Sequence, residues 1–169
     1  MSVKTARRRG IKVTLGVLII TLYAGEASAF CADVPDMAAI KSRTLQSELM
    51  VSGLVCGQRD NYNDFVHKFR PTLVGYGKHI KSYFKRVYGK AGEKNLNTFV
   101  TRAANAASSK SATDTSFCDN TSAKFDKLDE IDAASYGKFI ASVKPLLPKN
   151  ITACTETAST TTKALEQVR

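Results

Sequence analysis

Residues 61–88 read NYNDFVHKFRPTLVGYGKHIKSYFKRVY, and this stretch decides the fold class. Its large apolar residues recur at steps of three or four, which is the spacing of one face of an α-helix. The series consists of Phe65, Phe69, Leu73, Tyr76, Ile80, Phe84 and Val87. Pro71 lies inside the series and removes a backbone donor. We therefore predict either one kinked helix or two nearly coaxial helices here.

Helical spacing continues on both sides of this stretch, and no run of residues alternates as a half-buried strand would. Pro35-Asp36 indicates the start of a first helix, and Gly57 is placed to end it. The predicted helices cover about 35–56, 60–88, 93–107, 116–131 and 133–146, with a polar loop at about 108–116. The sequence therefore predicts an all-α protein, a small bundle of about five helices.

Residues 1–29 have the three parts of a cleavable signal peptide. Basic residues at positions 4, 7, 8, 9 and 12 precede an apolar run over 13–24, and Ala27-Ser28-Ala29 provides a small-residue cleavage site. The apolar run is shorter than the roughly 20 residues of a permanent membrane helix. We expect cleavage after this site and export by the general secretory route. A twin-arginine route is the alternative, although Gly10 replaces its usual aromatic residue.

The chain after the signal peptide is one domain in size. It keeps 20 basic and 14 acidic residues, a formal charge of +6, compared with +10 for the whole chain. We predict a disulfide-linked helical domain over 30–150 and a flexible tail rich in threonine and serine over 151–169. No segment after residue 29 is long and apolar enough to predict a membrane span.

Four cysteines, Cys31, Cys56, Cys118 and Cys154, follow the signal peptide. Their even number predicts two disulfides and an oxidising compartment, either the periplasm or the extracellular space. No pair has Cys-x-x-Cys spacing, which argues against a redox, haem or zinc site, and we expect no cofactor and no metal. Of the three possible pairings we favour Cys56 with Cys118, which joins helix ends, and Cys31 with Cys154, which joins the two tails.

The sequence contains no recognisable catalytic motif: no nucleophile elbow, zinc-protease pair, phosphate-binding loop or calcium loop. We assign no catalytic residue and favour a binding protein over an enzyme. His67 and His79 are the two histidines of the chain. A small hydrolase that uses one of them as a base is an alternative function, and it would need an acid brought near by folding.

An acidic cluster lies near the end of the fourth predicted helix, at Asp126, Asp129, Glu130 and Asp132. Three of these carboxylates share a helix face, but a cation site usually needs further converging oxygen ligands. Lys124 and Lys127 also interrupt the cluster. We therefore interpret it as a solvated helix face.

The most distinctive surface is the basic segment 78–94, which carries six basic residues and one acidic residue. Lys78, Lys81 and Lys85 are spaced three and four apart and so form one ridge of a helix. Together with Arg86 and Lys90 they are our candidate for binding an anionic envelope component, such as lipid headgroups or an acidic glycan, or an acidic partner protein. Nucleic acid is an unsuitable partner for an exported chain. The alternative is that these lysines solvate a bundle helix near the acidic cluster.

Four short stretches together resemble a family of small exported bacterial helical proteins of unestablished function. They are Leu45-Gln-Ser-Glu-Leu-Met-Val-Ser-Gly-Leu-Val-Cys56, Tyr62-Asn-Asp-Phe-Val66, Leu96-Asn-Thr-Phe-Val-Thr-Arg-Ala-Ala-Asn105 and Phe117-Cys118. The resemblance spans residues 43–118 and implies a common fold, a bacterial periplasm and no particular catalytic residue. It also favours the pairing of Cys56 with Cys118. The leading hypothesis is an exported, periplasmic or secreted, helical binding or accessory protein.

Overall fold

The structure is a computed structural model that describes residues 31–145 and 151–154. The predicted signal peptide, at 1–29, lies outside the described residues. Residues 155–169, most of the predicted flexible tail, also lie outside them.

Six α-helices make up most of the described chain. They are α1 (Val34–Val55), α2 (Arg59–Lys68), α3 (Arg70–Tyr88), α4 (Gly92–Thr113), α5 (Phe117–Glu130) and α6 (Tyr136–Ser142), with a 3₁₀ turn (Gly89–Ala91) between α3 and α4. Within the described residues the only strand-like pairing is an isolated parallel bridge between Ala32 and Ala153. The prediction of an all-α bundle of about five helices is confirmed, with the second predicted helix divided into two.

The division falls at Phe69, one residue after α2 ends and one before α3 begins. Pro71 occupies the first turn of α3, where a missing backbone N–H costs no intrahelical hydrogen bond. The apolar series continues across the break: Phe65, Phe69, Ile80 and Phe84 are all buried. The proline therefore divides the helix without interrupting its core-facing side.

The central helix of the bundle is α1, which packs against all five other helices. Its buried positions include serine and threonine residues as well as apolar ones. Their hydroxyls form hydrogen bonds within α1 or with neighbouring helices. Thr44 donates to the carbonyl of Ile40 (3.0 Å), and Ser42 shares a hydrogen bond with the hydroxyl of Tyr136 (3.0 Å). Because neighbours surround it, α1 has no simple apolar stripe of the kind that marks a surface helix.

Two disulfides, Cys56 to Cys118 and Cys31 to Cys154, tie the bundle at its ends, in the pairing that the sequence favoured. The first joins the end of α1 to the start of α5. The second joins Cys31, three residues before α1 begins, to Cys154, in a segment that also exchanges two backbone hydrogen bonds of 2.9 Å with Ala32. Two disulfides in a small domain are typical of proteins from an oxidising compartment.

The predicted polar loop at 108–116 is wrong for most of its length, because α4 continues to Thr113. The helix keeps an inward side through Ala107, which is buried. It also gains a tertiary contact through Lys110, whose ammonium lies 3.6 Å from the carboxylate of Glu48 on α1. Serine-rich composition alone did not reveal these contacts.

None of the helices within residues 31–145 combines the length and the apolar character of a membrane span.

Candidate functional site

The basic residues of segment 78–94 divide between two sides of α3. Ile80 and Phe84 mark the core-facing side of this helix, and both are buried. At about 100° per residue, Lys78, Lys81 and Lys85 fall on the opposite side. All three are exposed, and we call them the lysine ridge. Lys90, in the 3₁₀ turn that follows, is exposed as well.

The lysine ridge has no carboxylate partner among residues 31–145 and 151–154. The ion pairs found there involve other basic groups, and the acidic cluster on α5 pairs with Lys68 of α2 rather than with α3. The three ammonium groups therefore face solvent without a neighbouring carboxylate.

Arg86 does not belong to this ridge. Its guanidinium forms a salt bridge with Asp36, near the start of α1, and its side chain is 40% exposed. Its cationic group also lies 5.4 Å from the centre of the Tyr83 ring. His79 lies seven residues before Arg86, about two helical turns away on the same side of α3. It contacts the same carboxylate: its Nε2 lies 3.0 Å from Asp36 Oδ1. We call Asp36, His79 and Arg86 the Asp36 cluster.

Asp36 is held in place by the local structure at the start of α1. Its backbone N–H donates to Asp33 Oδ1 (2.8 Å), and its own Oδ2 accepts from the backbone N–H of Asp33 (3.2 Å), a reciprocal capping box. The side chain of Asp36 is fully buried. A buried carboxylate is stable only when charge and hydrogen bonds compensate it, and Arg86, His79 and the helix N-terminus do so here.

The Asp36 cluster contains two of the three parts of a hydrolytic triad, an acid and a histidine. A carboxylate oxygen accepts hydrogen bonds, so His79 Nε2 donates to Asp36 Oδ1, and in a neutral ring this leaves the basic lone pair on Nδ1. In the described part of the chain, no hydroxyl or thiol forms a hydrogen bond with His79. Arg86 also offsets the negative charge that would make Asp36 an effective partner for a catalytic imidazolium. The geometry therefore suits a structural clamp between α1 and α3.

The same region contains the one group of residues, within the described ranges, whose spacing could hold a metal ion. Ligand atoms of Asp33, Asp36 and His79 lie within 4.8 Å of one another. Both oxygens of Asp36 are already engaged, Oδ1 by His79 and Oδ2 by Arg86 and the backbone N–H of Asp33. A metal ion would have to compete with a guanidinium for the same carboxylate, so the donor set fits a metal poorly.

The remaining candidates from the sequence lie apart from α3. His67 is exposed near the end of α2. Asp126 and Asp129 line a cavity of about 190 Å³ together with Asp64, where Lys68 lies 3.7 Å from Asp129. The ammonium group of Lys68 therefore supplies a positive charge to these carboxylates.

Asp132 serves the turn between α5 and α6. Its carboxylate accepts the backbone N–H of Ser135 (2.8 Å), and hydrogen bonds from the side chain and backbone of Ser135 lower the pKa of Asp132. Glu130, the last residue of α5, is exposed. The acidic cluster is thus distributed between a cavity wall and a turn.

Sequence reasoning missed Asp36 as the partner of His79 and Arg86. Asp33 and Asp36 around Pro35 indicate a helix start, but that signal is local. The partners lie 43 and 50 residues further along the chain, and only packing of α1 against α3 joins them.

No protein-family model, curated protein or solved structure shows a significant match to this chain. The functional argument therefore depends on the geometry of the molecule itself.

Proposed function

We propose that this chain is an exported, periplasmic or secreted, helical binding protein that attaches to an anionic envelope surface through the lysine ridge. The single observation that carries the proposal is the exposure of Lys78, Lys81 and Lys85 on one side of α3, with no carboxylate partner in the described ranges. A bacterial periplasm is the proposed compartment, because residues 43–118 resemble exported bacterial proteins.

Export is supported by two independent features. Residues 1–29 read as a signal peptide. The two disulfides, Cys31 to Cys154 and Cys56 to Cys118, suit a protein that folds under oxidising conditions.

Attachment is supported by the rigidity of the ridge. Its lysines lie on α3, whose opposite side packs into the core through Ile80, Tyr83 and Phe84. A row of cations about one helical turn apart meets a layer of anionic groups without ordering a loop first, so no backbone entropy is lost on binding. The ion pair of Arg86 with Asp36 also anchors α3 to α1 beneath the ridge.

Each lysine close to an anionic membrane surface contributes roughly 1 kcal/mol to binding at physiological salt. Three lysines acting together would therefore change the partition coefficient by on the order of 100-fold. Because charges further than about 10 Å apart are screened at 0.1 M salt, the attraction should weaken steeply as salt is added.

The test is co-sedimentation of the oxidised protein with vesicles of phosphatidylcholine, with and without phosphatidylglycerol. We expect binding only to the anionic vesicles, and weaker binding at higher salt. The ridge variant, Lys78→Gln/Lys81→Gln/Lys85→Gln, should lose most of this binding. A matched control removes three other exposed basic residues and leaves the ridge intact: Arg59→Gln/Arg102→Gln/Lys138→Gln.

The proposal depends on a difference between these two variants. Equal losses would mean that only net charge matters and that the ridge is not a site. Absence of binding to anionic vesicles would leave the ridge as a solvated helix face, the alternative reading of its sequence.

A further inference from the structure

A second concentration of lysines lies on the other side of α1, in a groove away from α3. The groove has a volume of about 380 Å³, within the range of small-molecule sites. Residues from α1, α4, α5 and α6 line it, together with the chain that follows α6. The sequence places its lysines far apart, at 110, 124, 127 and 144. We call it the basic groove.

Cations outnumber anions in the basic groove by four to one. Glu48, with a side chain that is 10% exposed, is the acidic residue in its lining. Lys124 donates a hydrogen bond to Glu48 Oε2 (2.8 Å). The ammonium of Lys110 lies 3.6 Å from Oε1, too far for a hydrogen bond. Lys127 and Lys144 are exposed and have no ion pair within the described ranges.

Lys124 therefore makes the hydrogen bond to Glu48, and Lys110 makes a longer ion pair with it. Lys110 retains all three of its N–H donors, since no hydrogen bond from its ammonium occurs among the described residues. Like charges that converge on one groove repel one another, and an anion bound between them relieves that repulsion. The charge distribution thus favours an anionic occupant.

The floor of the groove is apolar. Leu45 is fully buried in the main core, and Phe139 and Val143 pack against the same core while remaining partly accessible. Leu45, Phe139 and Val143 all line the groove. An occupant therefore meets apolar surface at the base and ammonium groups at the rim, as an amphiphile with one charged end requires.

We infer that the basic groove binds a small amphiphilic anion, a molecule with one acidic headgroup and an apolar body, such as a medium-chain fatty acid. The headgroup lies among Lys110, Lys127 and Lys144, and the apolar body lies on Phe139 and Val143. This site is separate from the lysine ridge on α3 and does not depend on the proposed attachment to envelope surfaces.

The test is isothermal titration calorimetry of the oxidised protein with sodium octanoate. Acetate has the same headgroup without the apolar body, and 1-octanol has the body without the charge. We expect octanoate to bind at least about tenfold more tightly than either. Equal binding of octanol, or no binding of octanoate at millimolar concentration, would overturn the inference.

Two sets of variants locate the site. Lys127→Gln/Lys144→Gln removes the two outer cations, which make no ion pair in the described structure, and should weaken octanoate binding by about tenfold. The matched control, Arg102→Gln/Lys138→Gln, removes two exposed charges outside both the groove and the lysine ridge and should leave octanoate binding unchanged.

The second set inserts charge without changing shape. Asn120 is exposed, lines the groove and lies close to the N-terminus of α5, where a negative charge is well tolerated. Asn120→Asp should weaken octanoate binding severalfold, whereas Asn105→Asp, at an exposed position of α4 outside the groove, should not. Octanoate binding that both groove variants leave intact would show that the anion binds elsewhere.

Discussion

The Asp36 cluster permits a quantitative test through a double-mutant cycle between Asp36 and Arg86. The carboxylate of Asp36 is 0% exposed, whereas Arg86 is 40% exposed. Removing a partner from a fully buried ion pair costs about 3–5 kcal/mol, because the remaining charge stays buried without compensation. Here Arg86→Ala leaves Asp36 with His79 and the cap of Asp33. We therefore expect a smaller loss, about 2–3 kcal/mol of the free energy of unfolding.

The reciprocal variant differs because Arg86 and His79 can rehydrate once the carboxylate is gone. Asp36→Ala removes one of the two capping-box hydrogen bonds, from the backbone N–H of Asp33 to Asp36 Oδ2, and the charge-assisted hydrogen bonds to His79 and Arg86. The bond from the backbone N–H of residue 36 to Asp33 Oδ1 remains. We expect Asp36→Ala to cost about 2–3 kcal/mol. The double variant should cost little more than either single variant, since no buried charge remains. The expected coupling energy is therefore about 2 kcal/mol.

The assay is urea unfolding of the oxidised proteins, followed by far-UV circular dichroism, because the chain is helical and contains no tryptophan. The surface pair of Lys68 and Asp129 provides an internal control, since its side chains are 36% and 91% exposed. Its coupling energy should not exceed about 0.5 kcal/mol. Additive losses in the Asp36 cycle, within about 0.5 kcal/mol, would refute the claim that Arg86 compensates a buried charge.

Three further predictions concern stability. Burial raises the pKa of Tyr136 from 10.0 to about 12, so this tyrosine ionises at lower pH in the unfolded chain than in the folded protein. The stability present below pH 10 should therefore fall by up to about 3 kcal/mol as the pH rises towards 12. Urea unfolding should show a smaller alkaline loss of stability in Tyr136→Phe. Gly92→Ala would place a Cβ 2.8 Å from a backbone oxygen of α3 and should lower the free energy of unfolding by about 1–3 kcal/mol. Gly77→Ala meets no atom within 4 Å and should raise the free energy of unfolding by about 0.5–1 kcal/mol. Equal thermal midpoints of the two variants would contradict this. The disulfide between Cys31 and Cys154, with a sequence separation of 123, closes the longer loop. In the chain-entropy model, Cys31→Ala/Cys154→Ala should lower the free energy of unfolding by about 3–5 kcal/mol and keep the helical dichroism of the folded state. An unchanged urea midpoint would argue against that model.

The Asp36 cluster and the basic groove share one physical feature, a buried carboxylate on α1. Asp36 and Glu48 lie twelve residues apart on the central helix. Arg86 of α3 forms an ion pair with Asp36, and Lys124 of α5 forms one with Glu48. Because unpaired buried carboxylates are costly, these contacts specify which helices lie against α1. The excess of cations over anions then remains on the outer surfaces, at the lysine ridge and at the rim of the groove.

The sequence by itself determined the helical class, a kink or break of the second helix near Pro71 and the exposure of the lysine ridge. These features follow from the spacing of residues within one helix, and local geometry places such residues without reference to the remainder of the chain. The favoured cysteine pairing also came from positions along the chain, since it joined predicted helix ends and tails.

Only the tertiary structure decided that α1 is the central helix, that Arg86 and His79 meet Asp36, and that four lysines distant in sequence line one groove. A helix surrounded by neighbours loses its one-sided pattern, so periodicity gave α1 no special place. The ion pairs join residues separated by 43 to 76 positions. Their formation depends on how whole helices pack, and no spacing within one helix contains that information.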